Sequence, residues 1–559
     1  MYLNFNIILM KKIFVLLALI FTIHSSFAQL QESTEAGQLN LNKPERLEWF
    51  RDLGFGMFIH FSLDSQLGVV ISHSMAGASD DYLNRFIHEL PKTFNPKDYA
   101  PEEIANLAKL AGMKYIVFTT KHHSGFCMWD TQTTGFNIMN SAYQKDLLEE
   151  YVEATRKAGL AVGFYYSPED FNFLHENGLQ VRRRFVDPIP GNIMKKYVEL
   201  VELQCTELMA KYGDIDIIFF DGGEGPLQEK CKEVVWGLQP EIVVTRGAMK
   251  TPEQTLLGIS SDEPWESCIT MGTQWAYKPT NEEYKTGGRL IEILIETRSK
   301  GGNLLLNVGP KPNGQIPEPQ EANLREMAAW NFVNYESVEK VHPWILPNEQ
   351  NIWFTWKPEE KTLYAFLTQI PDWTRGDRKE FVIHSAQSTA KTELSVLGHA
   401  GELVEYQPEK DATPYFEQKQ DGLHVSVVRA QRIYNNSKWP NPVVLKITNV
   451  EPALKPPVVV TKDAKAVNAN NSDKLMLSGE LVDAGDSDKI KVGFEFREYA
   501  GFVEELYSDD WNETETVAIT KGEFSLKLPS LKKGKTYQVR AFAQHPKLRV
   551  YGDIIRVTF

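Results

Sequence analysis

Five apolar runs in this sequence each give way to residues able to do chemistry. They read Phe58-Ile59-His60-Phe61-Ser62, Thr119-Thr120-Lys121-His122-His123-Ser124-Gly125-Phe126, Phe164-Tyr165-Tyr166-Ser167-Pro168-Glu169-Asp170, Ile218-Phe219-Phe220-Asp221-Gly222-Gly223 and Val244-Thr245-Arg246-Gly247. Brought to one place, they would offer carboxylates for proton transfer or attack, His and Arg donors for hydroxyls, and aromatic faces for C–H surfaces. That mixture suits a small neutral polyol. His60, His122, His123 and Asp221 would also serve a zinc- or manganese-dependent barrel hydrolase, but the His-x-His pair expected on a first strand is missing. Neighbouring side chains on a strand point to opposite faces, so only one of His122 and His123 is expected to touch a substrate.

Such a collection needs elements that aim several chain segments at one point. Between about 45 and 340, strand-like runs (Phe55–Phe61, Tyr115–Thr120, Ala161–Tyr166, Ile215–Phe220, Ile242–Thr245, Leu304–Val308) alternate with amphipathic helix patterns such as Pro101–Ala111, Asp146–Ala158 and Asn192–Tyr212. Alternation of this kind predicts parallel βα units, and near-continuous apolar strands predict burial on both faces. The expected fold is α/β, a (β/α)8-like (TIM-type) barrel with its site at the strand C-termini. A doubly wound sheet competes, but no Gly-rich phosphate turn follows the first strand.

From 345 to 450 the helical period gives way to antiparallel strand patterns, among them Asn351–Trp356, Thr362–Thr368, Glu380–His384 and Val443–Ile447. This block is expected to be a β-sandwich. Residues 451–457, Glu-Pro-Ala-Leu-Lys-Pro-Pro, predict a stiff linker. Residues 458–559 predict a second β-sandwich with strands at Leu475–Leu481, Lys491–Glu498, Gly522–Leu528, Thr536–Gln544 and Asp553–Phe559. That last block resembles fibronectin type III-like or immunoglobulin-like modules.

The N-terminus carries Lys11-Lys12, an apolar run Ile13–Phe21, and Ser26-Phe27-Ala28 before Gln29. This is the pattern of a secretory signal peptide spanning 1–28, which predicts a periplasmic or extracellular protein without a membrane anchor. The catalytic barrel would then occupy 29–344. Lys+Arg 60 against Asp+Glu 74 gives a net charge of −14 over 559 residues, so nucleic acid is not an expected partner. Four cysteines cannot form a disulfide framework, and buried apolar positions are expected for them.

Residues 45–345 resemble glycoside hydrolase family 29, the retaining α-L-fucosidases. The resemblance is carried by Gly54–His60, Thr120–Trp129, Asp216–Gly222, Trp265–Cys268, Gln274–Tyr277 and Gly301–Pro310, six segments in order. It implies that Asp221 is the nucleophile and Glu253, in Thr251-Pro252-Glu253-Gln254, the acid/base, with Glu266 as its rival. It implies sugar-hydroxyl ligands in His60, His122, His123 and Arg246, and aromatic contacts in Tyr166, Phe219 and Trp275. It implies a fucosylated glycan as substrate and no cofactor, metal or organic.

Three positions depart from the family pattern. Ser124 stands where Asp is usual, Phe61 where Trp is usual, and Ile71–Asp81 replaces a Glu-Trp-Tyr segment that helps bind the sugar. His73 is the candidate substitute in that loop. The alternatives are an α-L-galactosidase or related glycosidase on the same scaffold, and a carbohydrate-binding protein without turnover.

Overall fold

Apolar runs without a polar face need cover on both sides, and a parallel sheet supplies it. Strands β1 (Phe55–Ile59), β2 (Tyr115–Lys121), β3 (Ala161–Tyr166), β4 (Ile217–Phe220), β5 (Val243–Val244), β6 (Glu266–Thr270) and β7 (Asn303–Val308) form one seven-stranded sheet in the order β5-β4-β3-β2-β1-β7-β6. Every pairing in it is parallel. The chain is seen here in a computed structural model that describes residues 39–182, 188–223, 225–374, 376–399, 409–429, 442–469, 472–499, 511–528, 531–532 and 534–558. The expected signal peptide lies outside the described residues.

The sheet curls. Phe58, Val117, Tyr165, Phe219, Val243, Cys268 and Leu305, one from each strand, meet in a single buried cluster that a flat sheet would keep apart. Phe50, from the helix Pro44–Leu53, belongs to the same cluster and closes its lower end. Where eight strands were expected, the described residues hold seven. The gap between edge strands β5 and β6 is spanned by chain leaving β5, which runs beside β6 through Glu266 N–H to Lys250 O (3.2 Å), Cys268 N–H to Pro252 O (3.3 Å) and Gln254 N–H to Cys268 O (3.0 Å). Pro252 has no N–H to give, so the segment pairs loosely and stays a loop.

The predicted helices are found at Pro101–Leu110, Leu147–Ala158 and Gly191–Lys211. Asp146, expected inside the second, caps it by accepting from Glu149 N–H at 3.1 Å. The fifth strand is shorter than expected because the chain turns at Thr245, where Ala248 and Met249 N–H both return to its carbonyl. Strand β6 escaped prediction, since Glu266-Ser267-Cys268-Ile269-Thr270 has little of the apolar character that marks its neighbours.

Beyond the curled parallel sheet and its helices the chain is β-rich. A five-stranded sheet (β12-β15-β10-β9-β8) and a three-stranded one (β11-β14-β13) share one core, with Phe354, Leu363 and Leu445 meeting Phe381, Ile383 and Val425. Here β8 is Asn348–Glu349, β9 Ile352–Lys357, β10 Thr362–Leu367, β11 Arg378–Ile383, β12 Ala386–Val396, β13 Tyr415–Gln418, β14 Leu423–Val428 and β15 Val443–Pro452. The predicted linker is partly strand, because β15 runs through Pro452, and Leu454 is buried with Leu346 and Leu548. In the last block, Val459, Leu477 and Phe524 of one sheet pack with Val492, Phe494, Val539 and Ala541 of another. That block also touches the barrel at Gly258. A Cβ there would lie 2.8 Å from Asp553 Cα and 2.9 Å from Ile554 N, so the approach is closed to any side chain.

One buried ion pair ties strand to loop directly below the candidate site. Lys121, the last residue of β2, is fully buried and donates to Asp170 Oδ2 at 3.1 Å. The other oxygen of Asp170 caps the helix Phe171–Glu176 through Phe173 N–H. Breaking such a pair leaves a charge in a low-dielectric interior. Lys121→Met is therefore expected to destabilise the chain by about 3–5 kcal/mol, read as a lower urea midpoint in unfolding followed by tryptophan fluorescence. An unchanged midpoint would show that Asp170 is compensated elsewhere.

Candidate active site

Asp221 is the first residue past β4, and its backbone N–H is held by Tyr166 O at 3.2 Å. Its side chain enters the upper end of the curled sheet. Arg246 Nη1 donates to Asp221 Oδ1 and to Glu253 Oε2, each at 3.0 Å. Two contacts of that length to a single nitrogen confine the two carboxylate oxygens to within 6 Å of each other. The guanidinium lies over the Phe219 ring, 4.5 Å from its centre, which fixes its plane. Tyr165 donates its hydroxyl to Asp221 Oδ2 at 2.8 Å, and His123 Nε2 stands 3.6 Å from the same oxygen.

These neighbours set the charge on Asp221. Burial pushes its carboxyl upward, but Arg246 foremost, then His123 and the Tyr165 hydrogen bond, outweigh burial and bring it down to about 2. The group is therefore an anion at neutral and mildly acid pH. Glu253 is the more open of the two, its side chain 40% exposed against 27% for Asp221. It therefore faces the mouth. Its place is set by the next residue: Gln254 adopts a left-handed φ of 57°, and its amide bonds the Thr270 hydroxyl at 2.9 Å.

The histidines are held from behind. His60 Nδ1 meets Asn307 Oδ1 at 2.7 Å, His122 Nδ1 meets Ser72 Oγ at 2.8 Å, and His123 Nδ1 meets Ser167 Oγ at 2.6 Å. Strand alternation does not separate His122 from His123. Strand β2 ends at Lys121, the pair sits in the turn closed by Gly125 N–H to His122 O, and both rings reach the site with centres 4.3 Å apart. His122 stacks on Tyr165, and Trp275 lies 4.8 Å from His60. His73 stacks on His123 with centres 6.0 Å apart and planes 6° from parallel, so the altered loop does reach the cluster.

Two candidate residues fall elsewhere. Tyr166 turns to the outer side of the sheet, where its hydroxyl donates to Gln204 at 2.7 Å and its ring covers Lys121. Tyr165 takes the inward place. The signal was available in register, since Tyr165 pairs with Phe219 and shares its face, whereas Tyr166 pairs with Phe220. Glu266, the rival acid, begins β6 and accepts from Tyr115 OH at 2.7 Å deep in the core. Burial pushes its carboxyl up to about 7, against the lowering pull of the Tyr115 hydrogen bond and of Arg246, and the hydrogen bonds of Asp221 go to Arg246 and Tyr165 instead. Gly56 makes that contact possible, since a Cβ there would lie 2.4 Å from the Tyr115 ring. Phe61 likewise turns away, to Phe94 and Tyr99.

Sequence reasoning missed four supporting residues: Ser72, Ser167, Asn307 and Glu169, whose carboxylate lies 3.6 Å from His123 Nδ1. Ser167 and Glu169 lie in the third strand exit, where position alone could have drawn them in, whereas Ser72 and Asn307 carry no local signal. Ligand atoms of His122, His123 and Asp221 also lie within 4.8 Å of one another, close enough to hold a metal ion. The donor set fits a dication poorly: both oxygens of the one carboxylate are already engaged, one of them by a guanidinium whose positive charge opposes a second cation.

The chain is similar in sequence and in fold to known proteins. Plasma alpha-L-fucosidase of Rattus norvegicus is 28% identical over 394 residues, which cover 64% of this chain and 84% of that protein. The solved alpha-L-fucosidase isoenzyme 1 from Paenibacillus thiaminolyticus superposes with a TM-score of 0.59 at 27% identity, covering 73% of this chain and 99% of that one. A GH29 alpha-L-fucosidase from Bacteroides thetaiotaomicron, trapped as a covalent intermediate with 2-fluoro-fucosyl fluoride, shares the fold at 19% identity and a TM-score of 0.58, covering 75% of this chain and all of that one. The family model described as alpha-L-fucosidase matches residues 21–336, more than half of the sequence, and the chain belongs to that family.

Proposed function

We propose that the protein hydrolyses terminal α-L-fucosyl residues by double displacement, with Asp221 as nucleophile and Glu253 as acid/base. The observation that carries this reading is the single Arg246 nitrogen shared by both carboxylates, which confines their two bonded oxygens to within 6 Å of each other, compatible with the separation of about 5–5.5 Å that a glycosyl-enzyme route uses. Asp221, held ionised, attacks the anomeric carbon as the glycosidic C–O bond breaks and Glu253 gives its proton to the departing oxygen. Water then enters on the face just vacated, Glu253 takes its proton, and the bond to Asp221 breaks with the starting configuration restored. Trp275 offers apolar surface to the sugar ring, the three histidines and Arg246 offer polar contacts, and Phe219, covered by the guanidinium, backs Arg246 and does not face the sugar. The covalent intermediate trapped in the Bacteroides thetaiotaomicron relative supports the same route.

The altered loop favours one variation. Ser72 and His73 stand against the histidine pair, in a segment where relatives in the family pattern carry Glu-Trp-Tyr. An α-L-galactoside, which differs from the fucoside only at C6, is therefore the second substrate to assay. The wider reading completes the proposal: a (β/α)8-like barrel, two β-sandwiches of which the second is fibronectin type III-like, and export directed by residues 1–28. Shared cores between paired sheets and the apolar N-terminal run support it. No described helix is long and apolar enough to cross a membrane.

The test is nitrophenol release from an aryl α-L-fucoside. Asp221→Asn is expected to lose at least about a thousandfold in kcat. Glu253→Ala is expected to lose about 10²–10⁴-fold on poor leaving groups, and azide should rescue it to give an α-configured glycosyl azide. An inverted azide product would instead assign the nucleophile to Glu253, and loss of turnover in EDTA would establish a metal requirement.

The same electrostatics predict a pH effect. Without the guanidinium, burial is left as the leading influence on Asp221 and raises its pKa. In Arg246→Met the acid limb of kcat/KM is expected to move to higher pH by at least about one unit, because Asp221 must lose its proton before it can attack. A limb at the wild-type pH would show that Arg246 does not hold Asp221 down.

A further inference from the structure

The two ring nitrogens of His60 have different surroundings. The residue is 4% exposed, Nδ1 meets Asn307 Oδ1, and no described residue bonds Nε2. The ring faces His122, Tyr165 and Trp275, on the side where the carboxylates lie. The Asn307 amide cannot be reversed. Its Nδ2 donates to the Trp275 carbonyl at 2.7 Å, and a carbonyl oxygen only accepts. Oδ1 is therefore the atom toward His60, and it too only accepts. Nδ1 must carry the proton.

With one proton on the neutral ring, Nε2 presents a lone pair to the site. Burial keeps the ring neutral, taking it down to about 3; Arg246 and His123 push the same way, while the Asn307 bond and Asp221 pull upward. The Tyr165 hydroxyl, whose ring packs beside His60, does not satisfy Nε2, because it gives its proton to Asp221. The lone pair is left for a ligand.

We propose that Asn307 is a positioning residue that makes His60 an obligate hydrogen-bond acceptor, so that the site takes a sugar hydroxyl which donates its proton to Nε2. The consequence is a test of chemistry rather than of size. A hydroxyl passes; a fluorine or methoxy group at the same carbon cannot donate and fails. The proposal rests on the fucoside reading only for the identity of the sugar.

The experiment compares an aryl α-L-fucoside with its 3-fluoro and 4-fluoro derivatives in wild type, Asn307→Asp and Asn307→Leu. In wild type one of the two fluorinated substrates is expected to lose about tenfold to a hundredfold in kcat/KM. In Asn307→Asp a carboxylate faces Nδ1 and favours the doubly protonated ring, whose Nε2–H now donates. The parent fucoside then becomes poor, the selected fluorinated one loses its disadvantage, and the parent recovers as pH rises through the new His60 titration. Asn307→Leu removes the bond without charging the ring and should show no such recovery. Nitrogen-15 spectra of histidine-labelled wild type should show His60 protonated at Nδ1 and bare at Nε2.

A proton on Nε2 in that spectrum overturns the proposal, as does a fluoro-to-parent ratio that Asn307→Asp leaves unchanged. Absence of any fucoside turnover by wild type would instead fail the functional reading, while the spectrum still decides the state of His60. If Asn307→Asp does not fold, the wild-type spectrum alone is decisive.

Discussion

Two carboxylates held close together in a half-buried cleft repel, and the site exists because one guanidinium answers both. Arg246 fills that role from the turn after β5, where the chain leaves one sheet edge and crosses to the other. The residue therefore does two things at once. It offsets the repulsion between the two carboxyl groups, and it fastens the loop that carries Glu253 to Asp221 at the end of β4. The stack on Phe219 removes the remaining freedom of its plane. Had β5 continued straight as a longer strand, Arg246 would lie in the wall of the sheet rather than across its opening.

Much of this was legible in the sequence because a curled parallel sheet writes itself in apolar runs. Strand β3 begins and ends at the predicted residues, and the exits after β1, β2 and β4 hold His60, the His122–His123 pair and Asp221. What was not legible depends on where a strand stops and which way it faces. His122 and His123 share the site because β2 ends at Lys121, before either histidine, so the alternation argument does not apply to them. Tyr165 displaces Tyr166 because register with Phe219, not local composition, chooses the inward face. Ser72 and Asn307 lie 50 and 247 residues from the histidines they support, so only the folded chain joins them.

The resemblance to a family placed Glu253 in a segment too irregular for pattern reading. Its position comes from a backbone twist at Gln254 and a side-chain clamp to Thr270, features with no periodicity. Glu266 shows the converse. A carboxyl beside a tryptophan in a matching motif reads as chemistry, yet it is spent inside the core on Tyr115.

The contact at Gly258 bears on how such a protein can change over generations. The solved relative from Paenibacillus thiaminolyticus is matched along nearly its whole length yet accounts for 73% of this chain. A block joined by a free tether can be traded for another by recombination, with only the tether to respect. Here the last block meets barrel backbone with no room for a methyl group, five residues along from Glu253. A replacement would have to present the same bare main chain at the same height. Exchange of parts is thus restricted by fit at this one contact, and not by the length of a connecting segment alone.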